Sequence, residues 1–203
     1  MSTTTTLTPK GSVGRPRLYD EETVLESLTS LFWRQGYTQT SMADIVEASG
    51  VHKPSLYRTF GSKEELFATV LRRYLAERIA MFAATIGSAG EGVAAVHAFL
   101  EAFEADAVSE RGRDGCLMVM ASNELRGQLP GYDFATDYRR QMREQLGVLV
   151  SRATDPADEQ LVGRRADLLT TCLLGVQVIL RSGADADDVH RYLAALHDTV
   201  DTW

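Results

Sequence analysis

The sequence predicts an all-α chain in two parts. An N-terminal three-helix domain contains a helix-turn-helix, and a C-terminal helical domain follows. Three observations predict it. Apolar residues recur at three- and four-residue steps from end to end, without strand-like alternation. The five prolines fall only in the N-terminal arm, at a helix start or in loops. In the stretch from Phe32 to Phe67, two short periodic segments meet at Ser49-Gly50: Met42, Ile45 and Val46 before it, and Val51, Leu56, Tyr57 and Phe60 after it.

Bulk properties agree. With 203 residues, 44% of them hydrophobic, the chain has the composition of a globular protein and the length for a sizeable core. No apolar run approaches the roughly 18 residues of a membrane span. MSTTTTLTPKGSVGRPR at the start lacks the apolar core of a signal peptide, so a cytoplasmic location away from membranes is expected. Two cysteines, Cys116 and Cys172, are too few for a disulfide scaffold or a structural zinc site. The net charge of −7 argues against nucleic acid, but its distribution reverses that. Residues 1–63 hold seven Lys/Arg against six Asp/Glu, a balance of +1, and the rest of the chain carries −8. Asp20, Glu21, Glu22 and Glu26 crowd the start of the first helix, where the dipole favours them. The helix-turn-helix face is left locally basic, as phosphate contact requires.

The elements follow in order. Residues 1–18, Thr-rich and then basic, predict a flexible basic arm. The first helix spans about 21–35, with Val24, Leu25, Leu28, Leu31 and Phe32 as its stripe, and Gly36 ends it. Thr40 or Ser41 caps the second helix, about 42–49. The third, about 53–59, tolerates Pro54 in its first turn. Ser62 and Glu65 form a capping box for a long fourth helix, about 63–86, that leaves the first domain and enters the second. Further helices are expected at about 91–109, 115–127, 132–153, 157–182 and 186–202. The domains are therefore 1–18, a flexible arm; 19–62, the helix-turn-helix DNA-binding domain; and 63–203, a C-terminal ligand-binding and dimerisation domain.

Residue types assign the sites. A helix, a Gly turn and a second helix present a helix to the DNA major groove. His52, Lys53, Ser55, Tyr57 and Arg58 on the second of these, and Lys63 after it, are donors suited to phosphate and base edges. On the last two helices, Leu169, Leu173, Val176 and Leu180 line one apolar face and Val189, Leu193, Leu196 and Val200 another. Such a pair is expected to pack against its twofold copy in a homodimer; packing within one chain is the competing role.

Phe99, Phe103, Met120, Asn123, Tyr138, Met142 and Gln177 are candidates for a small-molecule pocket, although core packing competes for each. Cys116 begins a helix close to Arg111 and Arg113, which would favour a reactive thiol; a small buried apolar residue is the alternative. The four histidines show no metal-ligand spacing, GSAGEG at 87–92 lacks the strand and Lys of a phosphate loop, and no cofactor or enzymatic activity is expected.

GRPR at 14–17, FWRQGY at 32–37, the Thr40–Val51 segment containing DIVEASGV, and SLYRTFGSKEELF at 55–67 resemble the TetR family of bacterial transcriptional regulators. The resemblance covers about 14–74; RDGCLMVMASNEL and LLGVQVILRSGADADDV look more loosely like a TetR/AcrR subgroup. It implies a homodimer bound to double-stranded palindromic operator DNA and released by a small effector. It also implies DNA contacts at Thr40 and Ser41, at Lys53, Ser55, Tyr57 (hydroxyl to phosphate, ring against the domain) and Arg58, and at Lys63, with His52 a weaker candidate. Pro54 departs from the small or polar residue common in the family. Arg15 and Arg17 on the arm suit a minor groove. An activator, a thiol-based redox or electrophile sensor working through Cys116, or a helical binding protein with a vestigial helix-turn-helix are the alternatives.

Overall fold

The computed structural model describes residues 19–126, 129, 131–155 and 157–203. The expected arm, with Arg15 and Arg17, lies outside them. The described residues form α1 (Glu21–Gln39), α2 (Met42–Ser49), α3 (Lys53–Phe60), α4 (Lys63–Ser88), α5 (Gly92–Ala107), α6 (Leu117–Leu125), α7 (Phe134–Ser151), α8 (Glu159–Arg181) and α9 (Ala186–Val200). A 3-10 turn at Gly112–Asp114 joins α5 to α6. The predicted all-α class holds, with element ends displaced by a few residues.

The largest displacement is in α1. Gly36 interrupts it with a φ of 81°, but the chain resumes helical hydrogen bonding for one more turn, to Gln39. Caps elsewhere behave as their side chains dictate. Ser41 with Asp44, Ser62 with Glu65, and Asp185 with Asp188 each form a reciprocal capping box.

The caps have a pH consequence. The Ser41 amide donating to Asp44 holds that carboxyl below its ordinary value, as the Thr23 hydroxyl does for Asp20 and the Arg191 guanidinium for Asp188. A carboxyl whose folded value is depressed contributes stability above its unfolded value, and loses it as pH falls through the folded one. The thermal midpoint is therefore expected to fall below about pH 4, and Asp44→Asn should show a smaller drop. Equal midpoints at pH 6 and pH 3 would contradict this.

Helix α4 serves both halves of the chain. Its first turns complete the N-terminal bundle, where Phe67 lies 4.6 Å from Phe32 and 4.9 Å from Tyr37, centroid to centroid. Its later turns enter the C-terminal body, where Phe82 meets Phe99 edge-on. There α7 packs along α8 and across α4, and α5 lies against α9. His97 of α5 and His197 of α9 stack with Nδ1 atoms 2.5 Å apart, and Asp201 accepts from His97 Nε2 at 2.9 Å.

The expected interface rows are corrected here. Leu169, Leu173, Val176, Leu180, Val189, Leu193, Leu196 and Val200 are each at most 5% exposed within a single chain. They fill the core between α8, α9 and their neighbours and present nothing to a second copy. Leu168, Thr171, Gly175 and Val178 of α8 and Tyr192 of α9 are among the residues that reach solvent. Cys172 is half-buried, and burial raises its thiol above the ordinary value.

Candidate nucleic-acid interface and the cavity behind it

Helix α2 closes on Gly50 in the left-handed conformation, and the turn delivers α3 with one face buried and one exposed. Leu56 and Phe60 enter the core, while His52, Lys53, Tyr57 and Arg58 stand on the surface and Ser55 is half-buried. The Tyr19 hydroxyl bonds the Thr59 hydroxyl at 2.7 Å, tying α3 to the chain ahead of α1. Pro54 sits in the first turn, where its missing N–H breaks no helical bond. His52 occupies the cap position, but its side chain makes no capping bond.

Two expectations need revision, and a third residue takes on a further contact. The Tyr57 ring does not pack on the domain: it is 42% exposed, with Lys53 Nζ 5.8 Å from its centroid. Leu56, one residue earlier, takes the core-facing direction, which turns Tyr57 outward. Thr40 is 1% exposed, and its hydroxyl donates to the Gly36 carbonyl at 2.5 Å and accepts from Gln35 at 3.1 Å. That hydroxyl is committed inside the fold, which leaves exposed Ser41 as the hydroxyl at this helix start. Lys63 donates to the Tyr37 carbonyl at 2.7 Å and lies 4.2 Å above the Tyr37 ring. Burial lowers its pKa from the ordinary lysine value and raises that of Tyr37 to about 12, helped by the Glu64 carboxylate. Lys63 thus fastens the last turn of α1 with one of its three ammonium hydrogens.

A link that sequence reasoning missed joins the two halves. Glu124, on α6, accepts the Thr38 backbone N–H at 2.9 Å, and its carboxylate fills the space beside Gly36. Helix α4 is therefore not the sole connection between the halves. A carboxylate more than eighty residues from its partner leaves no local signature.

The candidate effector residues divide. Cys116, Met120, Asn123 and Gln177 line one cleft of about 240 Å³. Asn123 is exposed, so water satisfies its amide. Tyr138 joins the group through Cys116, whose thiol donates to the Tyr138 oxygen at 3.5 Å and accepts from the Tyr74 hydroxyl at 3.6 Å. Cys116 is 3% exposed, and its bonded partners are these two phenols rather than Arg111 or Arg113. Burial pushes both phenols well above the ordinary tyrosine range, so both stay protonated at neutral pH. Phe99, Phe103 and Met142 are buried in the core.

A smaller cavity, of about 110 Å³, lies where α1 meets the C-terminal body. Trp33, Tyr74, Arg78, Arg111 and Gln177 line it. The sequence offered one clue. Val70, Tyr74, Arg78, Phe82 and Ile86 step by four along α4, so a cation sits in a row otherwise buried. Asp106 on α5 answers it at 2.8 Å.

A surfaced helix-turn-helix carried on a larger helical body, with cavities behind it, defines a class: the helix-turn-helix regulatory proteins. Residues 24–70 match the profile of the bacterial regulatory proteins of the tetR family. This N-terminal segment is that of a TetR-family regulatory protein. It is 47% identical over 75 residues to the transcriptional repressor ComR of Escherichia coli K12, a match spanning 37% of this chain and 36% of that relative. It is 27% identical over 191 residues to the repressor BdcR of the same organism, covering 93% of each. Among solved structures it resembles the TetR-family regulator CifR, a cysteine mutant complexed with 26-bp double-strand operator DNA. There the TM-score is 0.74 with 26% identity, over 94% of this chain and 100% of that one.

Proposed function

We propose that this chain is a dimeric, sequence-specific repressor that leaves a palindromic operator when a small effector binds. The observation that carries the reading is the exposed row His52, Lys53, Tyr57 and Arg58 on α3, the second helix of the helix-turn-helix. Arginine and lysine placed there reach guanine edges and phosphates, and the Ser41 hydroxyl at the start of α2 suits a phosphate. The likeness to CifR, whose structure was solved on operator DNA, and to two repressors supports the same use.

The test is fluorescence anisotropy of the purified protein on its own upstream DNA, across salt concentrations and against scrambled competitor. Tight binding with a steep salt slope and strong preference over the scrambled duplex is expected. Equal affinity for both duplexes would overturn sequence-specific recognition. Reciprocity requires that DNA weaken the effector as much as the effector weakens DNA.

Dimerisation is supported by the solvent-facing side of α8. Leu168 and Val178 are 39% and 47% exposed, with Thr171 and Gly175 between them, and Tyr192 of α9 is 50% exposed. A twofold copy laid on this row buries the same residues from both chains. Leu168→Asp with Val178→Asp is expected to give a folded monomer by sedimentation. Leu173→Ala, inside the core, should instead cost about 2–5 kcal/mol of stability and leave the oligomer unchanged. A double aspartate variant that still sediments as a dimer would move the interface elsewhere.

A further inference from the structure

The cavity between α1, α4 and the 3-10 turn holds two polar atoms without partners. Trp33 Nε1 and Arg78 Nε are buried, and among the described residues neither meets a hydrogen-bond acceptor. Trp33 is only 8% exposed, and the Arg78 side chain 11%. Both residues line the cavity. Both atoms are donors only, so the partner they lack is an acceptor. Leaving such donors dry is costly, because each has lost water without gaining another acceptor.

The walls define the rest of the ligand. The Trp33 and Tyr74 rings, 5.2 Å apart and edge to face, give an apolar side together with Met81. The charges lining the cavity balance. Glu77 and Asp106 stand against Arg78 and Arg111; Asp106 answers Arg78 at 2.8 Å, and Arg111 lies 5.6 Å over the Trp33 ring. An ionised ligand would bring an uncompensated charge into this balance, whereas a neutral oxygen acceptor brings none. The volume of about 110 Å³ is somewhat below the ~150 Å³ that accommodates benzene, which suits about five non-hydrogen atoms.

We propose that this cavity is a binding site for a small uncharged carbonyl compound, an amide or ketone, whose oxygen accepts from Trp33 Nε1 and Arg78 Nε. Trp33 belongs to α1, so the occupant touches the helix that packs beneath α2. Occupancy therefore biases the DNA-binding half directly. This last step alone rests on the repressor reading.

The chain has two tryptophans, so Trp203→Phe leaves Trp33 as the sole indole N–H in a proton–nitrogen correlation spectrum. Three probes of equal size would be titrated into the full chain: N-methylacetamide, propionate and tert-butylammonium. N-methylacetamide is expected to shift the Trp33 indole signal saturably, and tert-butylammonium to leave it in place. Arg78→Lys keeps a cation for Asp106 and removes the Nε donor; it should weaken N-methylacetamide about tenfold or more. No saturable shift, or unchanged affinity in Arg78→Lys, would overturn the site. Tighter binding of propionate would overturn the uncharged class. Operator affinity is read in the same buffer with and without saturating N-methylacetamide, and should fall when the probe is present. An unchanged affinity would refute the coupling, whereas failure to bind operator without any probe would refute the repressor reading instead.

Discussion

Arg58→Ala is expected to lower operator affinity about ten- to a hundred-fold while leaving the thermal midpoint where it was. The guanidinium stands on the exposed face of α3, and among the described residues it holds no hydrogen bond or ion pair to be lost. Its donor fork suits the paired acceptors of a guanine edge, so the loss should concentrate on operators that retain that guanine. Substituting the contacted base should cost the wild type about 1–3 kcal/mol and the variant little. Lys53→Ala offers the contrast. An ammonium on phosphate carries no base preference, so affinity should drop uniformly and the salt slope should lessen by about one. If Arg58→Ala binds operator as tightly as the wild type, the face of α3 is not the reading surface.

Gly36→Ala is expected to lower stability by about 2–3 kcal/mol and to weaken operator binding as well. Two causes add. A φ of 81° is open to glycine and strained for alanine. A Cβ there would also overlap the Glu124 carboxylate, which accepts the Thr38 N–H. Glu124 has the freedom to swing away, but only by releasing Thr38. The last turn of α1 then loses its hold, and with it the Thr40 bond back to the Gly36 carbonyl just ahead of α2. At roughly 2–4 °C per kcal/mol for a chain of this size, the midpoint should fall by about 5–10 °C. Glu124→Gln keeps an oxygen acceptor for Thr38 and should cost less. A Gly36→Ala midpoint within a degree of the wild type would show that the kink is not held by this contact.

The contrast between these positions shows what the sequence made legible. Ser62 with Glu65 announces its helix start because both partners lie within one turn, and the structure forms the box as read. The surface of α3 was legible for the same reason: Leu56 and Phe60 fix which side is buried, and the donors fall opposite. Leu173 and Leu193 were misplaced because periodicity reveals that a stripe exists, not what covers it. A core row and an interface row are equally apolar in sequence, and only the packing shows that these rows are covered within one chain. Asn123 meets Cys116, Met120 and Gln177 in one cleft, whereas Phe99, Phe103 and Met142 are core, because apolar periodicity does not tell a cavity wall from a packed interior. The Trp33–Arg78 cavity and the Glu124 link lie between elements far apart in the chain, and no local pattern encodes such meetings.

The Glu124 contact limits modularity. The N-terminal third looks portable: it is compact, residues 24–70 match a family profile by themselves, and α4 resembles a simple stalk. Yet the end of α1 rests on a side chain supplied by α6, and Trp33 lies beneath Arg111 of the α5–α6 connection. A chimera that grafts residues up to the middle of α4 onto a foreign body inherits Gly36 without its carboxylate. Its reading head would be folded but loosely seated. To transplant the head intact, the recipient must also carry an acidic side chain at the end of its own α6, so the exchangeable unit is discontinuous in sequence.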